Sequence, residues 1–239
     1  MSLETATLAG SIAVSRGSAI LAKRVGRPNV SHSNTLLSDI NEILSGLDLS
    51  VHDIDLFAVA SGPGSFTGLR IGLATVKALA TTLDRPCIGI PTLEAIAHSA
   101  GVADAIVALL PAGRGEVFVQ MFSTVQGDVI ALDQPQHLAP ERAIDKYAGR
   151  RGVRWVGDAA QLYSGLIEER ATNLGYKFIV ADNEEIDSVT DAWIIIAPAL
   201  TLAEHIASLA LMRMHDGLQQ TANSLRAIYV RPSDAEMKL

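Results

Sequence analysis

The stretch Ser61-Gly62-Pro63-Gly64-Ser65-Phe66-Thr67-Gly68-Leu69-Arg70-Ile71-Gly72 decides the reading of this chain. An apolar run, Asp55-Leu56-Phe57-Ala58-Val59-Ala60, leads into it and reads as a buried strand. Leu69, Leu73, Val76, Ala80 and Leu83 follow at helical spacing, so a helix is expected from about Thr67 to Leu83. Gly62, Gly64 and Gly68 thus cluster in a strand-to-helix turn. Two readings stand there. Glycines let a ligand approach the free N–H groups of a helix start, which favours a phosphate. They equally let backbone pack on backbone, and Gly68 and Gly72, one turn apart, would admit a neighbouring element. The Walker pattern is absent, because the nearest lysine, Lys77, lies well inside the helix. The dinucleotide pattern is also poor: the spacing is GxGxxxG, and the next strand, Cys87 to Ile90, carries no acidic residue for a ribose.

Upstream, Leu3 to Gly10 and Ser11 to Ser15 form an expected hairpin, with a third strand over Ser18 to Val25. The turn Glu4-Thr5-Ala6-Thr7 offers an acid and hydroxyls that suit Mg²⁺-phosphate; the same hydroxyls commonly satisfy turn backbone. Thr35 to Leu47 reads as an amphipathic helix with Ser33 or Asn34 as N-cap and Gly46 near its end. Downstream come a strand Cys87 to Ile90 stopped by Pro91, and a helix Thr92 to Ala100. A second strand-rich block follows: strands at Ala105 to Leu110, Glu116 to Ser123, Asp128 to Leu132, Val153 to Val156 and Phe178 to Ala181. Helices are expected at Pro140 to Tyr147, Ala159 to Arg170 and Asp191 to Met214, and a strand-like end at Ala227 to Val230. The order favours an α/β fold of two lobes, 1–100 and 101–239, parted at Ala100-Gly101.

The 239 residues are 49% apolar and 19% charged, which excludes disorder as the main state. A net charge of −7 disfavours nucleic-acid binding by this chain alone, since phosphate contacts need clustered cations. Arg150-Arg151, with Arg154, reads as a solvated loop rather than an RNA surface. One cysteine, Cys87, permits no internal disulfide; in its apolar strand it reads as core. The six histidines show no zinc spacing, and Glu94 and His98, four apart, read as a solvated pair. No GxSxG elbow supports Ser61 or Ser65 as a nucleophile. Met1-Ser2-Leu3-Glu4 lacks the basic region of a signal peptide, and Ala192 to Met212 is interrupted by Pro198, Glu204 and His205, so the expectation is a soluble, cytoplasmic protein without a membrane span.

SGPGSFTGLRIGLATVKALA strongly resembles the TsaB (YeaZ) family of tRNA threonylcarbamoyladenosine biosynthesis. Its motif residues are Gly62, Pro63, Gly64, Ser65, Phe66, Thr67, Gly68 and Arg70. LETATLAGSIAV, His32-Ser33, Gly113-Arg114-Gly115-Glu116-Val117-Phe118 and Ile228-Tyr229-Val230-Arg231-Pro232-Ser233-Asp234-Ala235 are similar to other family segments. Pro111 departs from the family, which often has an acid there. The resemblance implies a two-lobed actin-like (ASKHA, ribonuclease H-like) fold related to the catalytic subunit TsaD. TsaD has metal-binding histidines in a segment like IGVNHxEGH, where this chain has Thr92 and Ile96. The implied role is therefore a non-catalytic subunit, without catalytic or metal-ligating residues of its own. It would bind and activate TsaD for modification of adenosine 37 in ANN-decoding tRNAs. Implied partners are TsaD, the ATPase TsaE, a second copy when TsaD is absent, and tRNA through the complex only. No cofactor of its own is implied beyond a weakly held nucleotide at a lobe or subunit interface. Leu36, Ile40, Ile43 and Leu47 on one helix, with Gly68, Leu69, Gly72 and Val76 on the other, are the expected partner surface. A small actin-like kinase and a peptidase are the alternatives.

Overall fold

The computed structural model describes residues 1–26, 32–181 and 191–230, with the side chains of all but 32–34. The expected cap at Ser33 or Asn34, and the ending Arg231 to Ala235, lie outside the described residues. The chain divides into two compact units, Met1–Ala95 with Leu200–Tyr229, and Ile96–Ala199.

The first unit holds a five-stranded sheet in the order β3-β2-β1-β4-β5. Its strands are β1 (Ser2–Glu4), β2 (Ser11–Arg16), β3 (Ala19–Val25), β4 (Phe57–Gly62) and β5 (Cys87–Pro91). The N-terminal hairpin is antiparallel, while β1, β4 and β5 run parallel. β4 is buried at every residue, which is why it reads as an unbroken apolar run rather than an alternation. Helices α1 (His32–Ser45) and α2 (Phe66–Leu83) pack on this sheet, α1 on β2 and β3, α2 on β4, β1 and β5. The short helix α3 (Thr92–His98) follows β5.

The second unit has the strand order β11-β12-β10-β6-β7-β8, with β9 also pairing β7. The strands are β6 (Ala103–Gly113), β7 (Glu116–Val125), β8 (Asp128–Ala131), β9 (Gln136–Leu138), β10 (Arg154–Val156), β11 (Lys177–Ala181) and β12 (Ala192–Ile196). Its core gathers Val107, Val119, Ile144, Trp155, Ile167 and Trp193, with the Trp155 and Trp193 rings 4.9 Å apart, edge to face. Helices α4 (Pro140–Lys146), α5 (Asp158–Leu162) and α6 (Ser164–Asn173) cover it.

Four expectations are corrected. The segment 191–214 is not one helix: Ala192–Ile196 is the fully buried strand β12, and helix α7 starts only at Leu202 and runs to His215. Trp193-Ile194-Ile195-Ile196 is aromatic and β-branched, and Pro198 bars helix in the residue before it. The second lobe does not run to the end of the chain, because α7 returns to pack on β1, β2, β4 and β5 of the first unit. Ser2 Oγ donates to Ala203 O at 2.7 Å and fixes that contact. The helix expected over Ala159 to Arg170 is two, α5 and α6, broken at Tyr163. Ala227 to Val230 is no strand; it is an irregular segment tied by one backbone bond, Ile228 N–H to Ser61 O at 2.7 Å. Among the described residues, no helix is long and apolar enough to cross a membrane.

Candidate functional site

The glycine turn closes on the chain's own backbone. β4 ends at Gly62, whose φ of +114° is costly for a residue with a β-carbon. A β-carbon there would also strike Ile228 O. At Gly64 it would lie 2.7 Å from Ala6 Cβ and from Ala6 O. At Gly68 it would fall on Thr5 O, and at Gly72 on Thr5 Oγ1, with Val59 Cγ2 3.3 Å away. Ser65 caps α2, its Oγ accepting from Gly68 N–H at 3.2 Å, while its own N–H donates to Ala6 O at 2.8 Å. Thr5 Oγ1 donates to Gly68 O at 2.8 Å. Of the two readings of this turn, the geometry supports packing: Thr5, Ala6 and Ile228 stand against the glycine positions where side chains would otherwise project. The neighbouring turn is likewise self-satisfied. Thr7 donates its N–H and Oγ1 to the Glu4 carboxylate, each at 2.7 Å, and Thr7 Oγ1 accepts from Gly10 N–H at 3.3 Å.

The residues expected to face a partner are placed differently. Leu36, Ile40 and Ile43 are buried, Leu47 is half-buried, and Gly68, Leu69, Gly72 and Val76 are buried. They fasten α1 and α2 to their own sheet. Helical periodicity identifies an apolar stripe without saying what covers it, and the chain's own sheet claims the more apolar stripe first. The opposite stripe of α2, Thr67, Arg70, Ala74, Ala78 and Thr81, is exposed, and Leu37 on α1 is 68% exposed. α2 carries no acidic residue. The two acids of α1, Asp39 and Glu42, are engaged by Arg24 at 3.2 and 2.7 Å. The signal for this outer stripe was present in the sequence as a run of small residues at helical spacing.

At the start of that stripe, the Arg70 guanidinium lies 3.7 Å over the centre of the Phe66 ring. Phe66 in turn faces Tyr229, ring centres 5.3 Å apart. Motif residues thus meet the C-terminal segment, which sequence reasoning did not connect.

Glu94 is no half of a solvated Glu–His pair. Its carboxylate accepts both bonds from Arg213 Nη2 at 2.7 Å, and Arg213 Nη1 donates to Gly89 O at 2.8 Å. Burial pushes the Glu94 carboxyl above the ordinary range, against the pull of Arg213. Burial lowers the pKa of His98 and raises that of the Cys87 thiol, which sits fully in the core. Thr92 and Ile96, the positions compared with metal-binding histidines, are buried. No group of three potential metal ligands occurs among the described residues. In the second unit, Gly113 to Glu116 make the β6–β7 hairpin turn, with Arg114 at φ +55° and Glu116 2.9 Å from His137 on β9. Pro111 pairs with Val117 in that hairpin.

The family model described as "TsaD: tRNA N6-adenosine threonylcarbamoyltransferase" matches residues 28–223. The chain is 27% identical over 179 residues to the tRNA threonylcarbamoyladenosine biosynthesis protein TsaB of Bacillus subtilis (strain 168), covering 74% of this chain and 78% of that protein. It is 25% identical over 244 residues to the TsaB of Escherichia coli (strain K12), covering 100% and 97%. Its fold matches the solved structure of YeaZ from Pseudomonas aeruginosa with a TM-score of 0.73 at 24% identity, over 95% of this chain and 97% of that one.

Proposed function

Because the chain belongs to the TsaD family of folds and, within it, to the TsaB (YeaZ) family, we propose that it is an accessory subunit in tRNA threonylcarbamoyladenosine biosynthesis, docking on a TsaD-type transferase. The observation that carries the reading is the pair of helices α1 and α2. Their apolar stripes are spent on the sheet, and the glycine turn is closed by backbone, so what α2 offers outward is a flat, acid-free stripe of small residues around Arg70, Ala74 and Ala78. Small side chains let a partner's helix approach closely, and Leu37 supplies an apolar flank. The same stripe would pair with a second copy when the transferase is absent. TsaE would be a third component, and tRNA would reach the chain only within the complex. The role asks for no cofactor of the chain's own.

Reconstitution tests the proposal: the TsaD-type transferase of the same organism is assayed for tRNA modification with and without this chain. The expected result is strong dependence on the chain; equal product without it would sink the proposal. Ala74→Glu is expected to keep the fold by circular dichroism and lose co-purification with the transferase. Leu69→Glu makes the control, since Leu69 is 1% exposed and its replacement should unfold the first unit instead.

A further inference from the structure

Gln220 to Tyr229 has little regular structure, yet it runs from the open edge of β5 to the C-terminal end of β4. Its anchors are few and identifiable. Gln220 exchanges two backbone bonds with Cys87 on the open edge of β5, at 2.8 and 3.0 Å. Gln220 Oε1 accepts from Gly89 N–H at 3.1 Å. Leu225, 1% exposed, lies against Gly89, where a β-carbon would come within 2.8 Å of its Cδ1. Ile228 N–H donates to Ser61 O, and Ile228 O sits against the α-carbon of Gly62. Tyr229, 51% exposed, faces Phe66, beneath Arg70. Between Gln220 and Ile228 the other side chains are exposed or half-buried, so little apolar area opposes release.

We propose that Gln220–Tyr229 is a detachable strap whose seating on the glycine turn orders the first turn of α2, and thereby regulates docking on the outer stripe of that helix. The strap touches the turn on both sides of the cap: at Ser61 and Gly62 before Ser65, and at Phe66 after it. Arg70 links the stack to the exposed stripe. When the strap leaves, Phe66 loses its ring neighbour and Gly62 its packing partner, so the first turn of α2 is held by Thr5, Ala6 and the Ser65 cap alone and opens more often. Linkage then acts both ways: a partner on α2 holds the strap down by the same factor by which the seated strap strengthens the partner's binding. The docking half of this inference rests on the proposed function; the coupling of strap to helix does not.

Amide hydrogen exchange on the full chain decides it. In Ile228→Pro, which removes the donor to Ser61 O, and in Tyr229→Ala, amides of 225–229 and of 65–70 should both exchange about tenfold faster. The β6–β7 hairpin should stay unchanged, and Tyr229→Phe should behave as the native chain. Faster exchange at 225–229 with none at 65–70, or no change at 225–229 in either variant, would overturn the proposal. With the TsaD-type transferase added, the native strap should exchange about tenfold slower, and the affinity of Tyr229→Ala should fall by a similar factor. A transferase that binds with the strap's exchange unaltered would also overturn it. A transferase that fails to bind the native chain at all would count against the accessory-subunit reading, and exchange in the free chain would still judge the coupling.

Discussion

Gly68 has Thr5 O where its β-carbon would stand, and that oxygen belongs to the backbone of the turn after β1, so nothing soft can give way. Gly68→Ala should therefore cost about 1–3 kcal/mol in urea unfolding, the range for overpacking. Gly165, in α6, has nothing within 4 Å of the same position. Gly165→Ala should stabilise by about 0.5–1 kcal/mol, because alanine gives up less backbone freedom in a helix. Glu204 sets a pH dependence. Burial would raise its pKa, but hydrogen bonds from Thr201 and Lys23, with the Lys23 charge, bring it below the ordinary value of 4.5. The unfolded chain then binds a proton more readily than the folded one. The stabilisation is complete above about pH 4.5 and is lost as pH falls through the folded-state value. Lys23 is half-exposed, so solvent screening keeps the effect under about 1 kcal/mol. Melting curves from pH 6 to pH 3 should fall less steeply for Glu204→Gln than for the native chain.

At the scale of elements, Arg213 ties α7 to the β5–α3 corner through Glu94 and Gly89. Glu94→Leu alone should destabilise the first unit by about 3 kcal/mol, since it strands a half-buried guanidinium; Glu94→Met with Arg213→Leu should cost less. A thermal-denaturation comparison of the single and double variants checks this. Most elements here were legible in the residues. β4 and β5 announce themselves as short apolar runs, and α2 by its leucine and valine spacing. β12 did not, because five buried residues next to an apolar helix share one hydropathy and differ only in β-branching and in Pro198. The site was half legible. The glycines marked a close approach, but only the fold shows that Thr5, Ala6 and Ile228 are what approaches. The strap has no periodic signature in the sequence, because its anchors are backbone groups, the Gln220 amide, Leu225 and one ring at irregular spacing. The Glu94–Arg213 pair joins residues 119 apart in the chain, beyond any local pattern.

For the molecule as a whole, both tryptophans, Trp155 and Trp193, sit in the core of the second unit. Indole fluorescence thus reports that unit alone. Ile167→Ala, which hollows the same core, should lower the stability read by fluorescence by about 2–5 kcal/mol. Among the described residues the first unit is assembled from two separated stretches, Met1–Ala95 and Leu200–Tyr229, with Ile96–Ala199 of the second strung between them. A ribosome that has made residues 1–199 has delivered every strand found among the described residues, yet α7 is still to come. Until α7 has been made, Ser2, Ser11 and the apolar residues beside them lack their cover, so the nascent polypeptide carries a bare sheet face, open to chaperones and to aggregation.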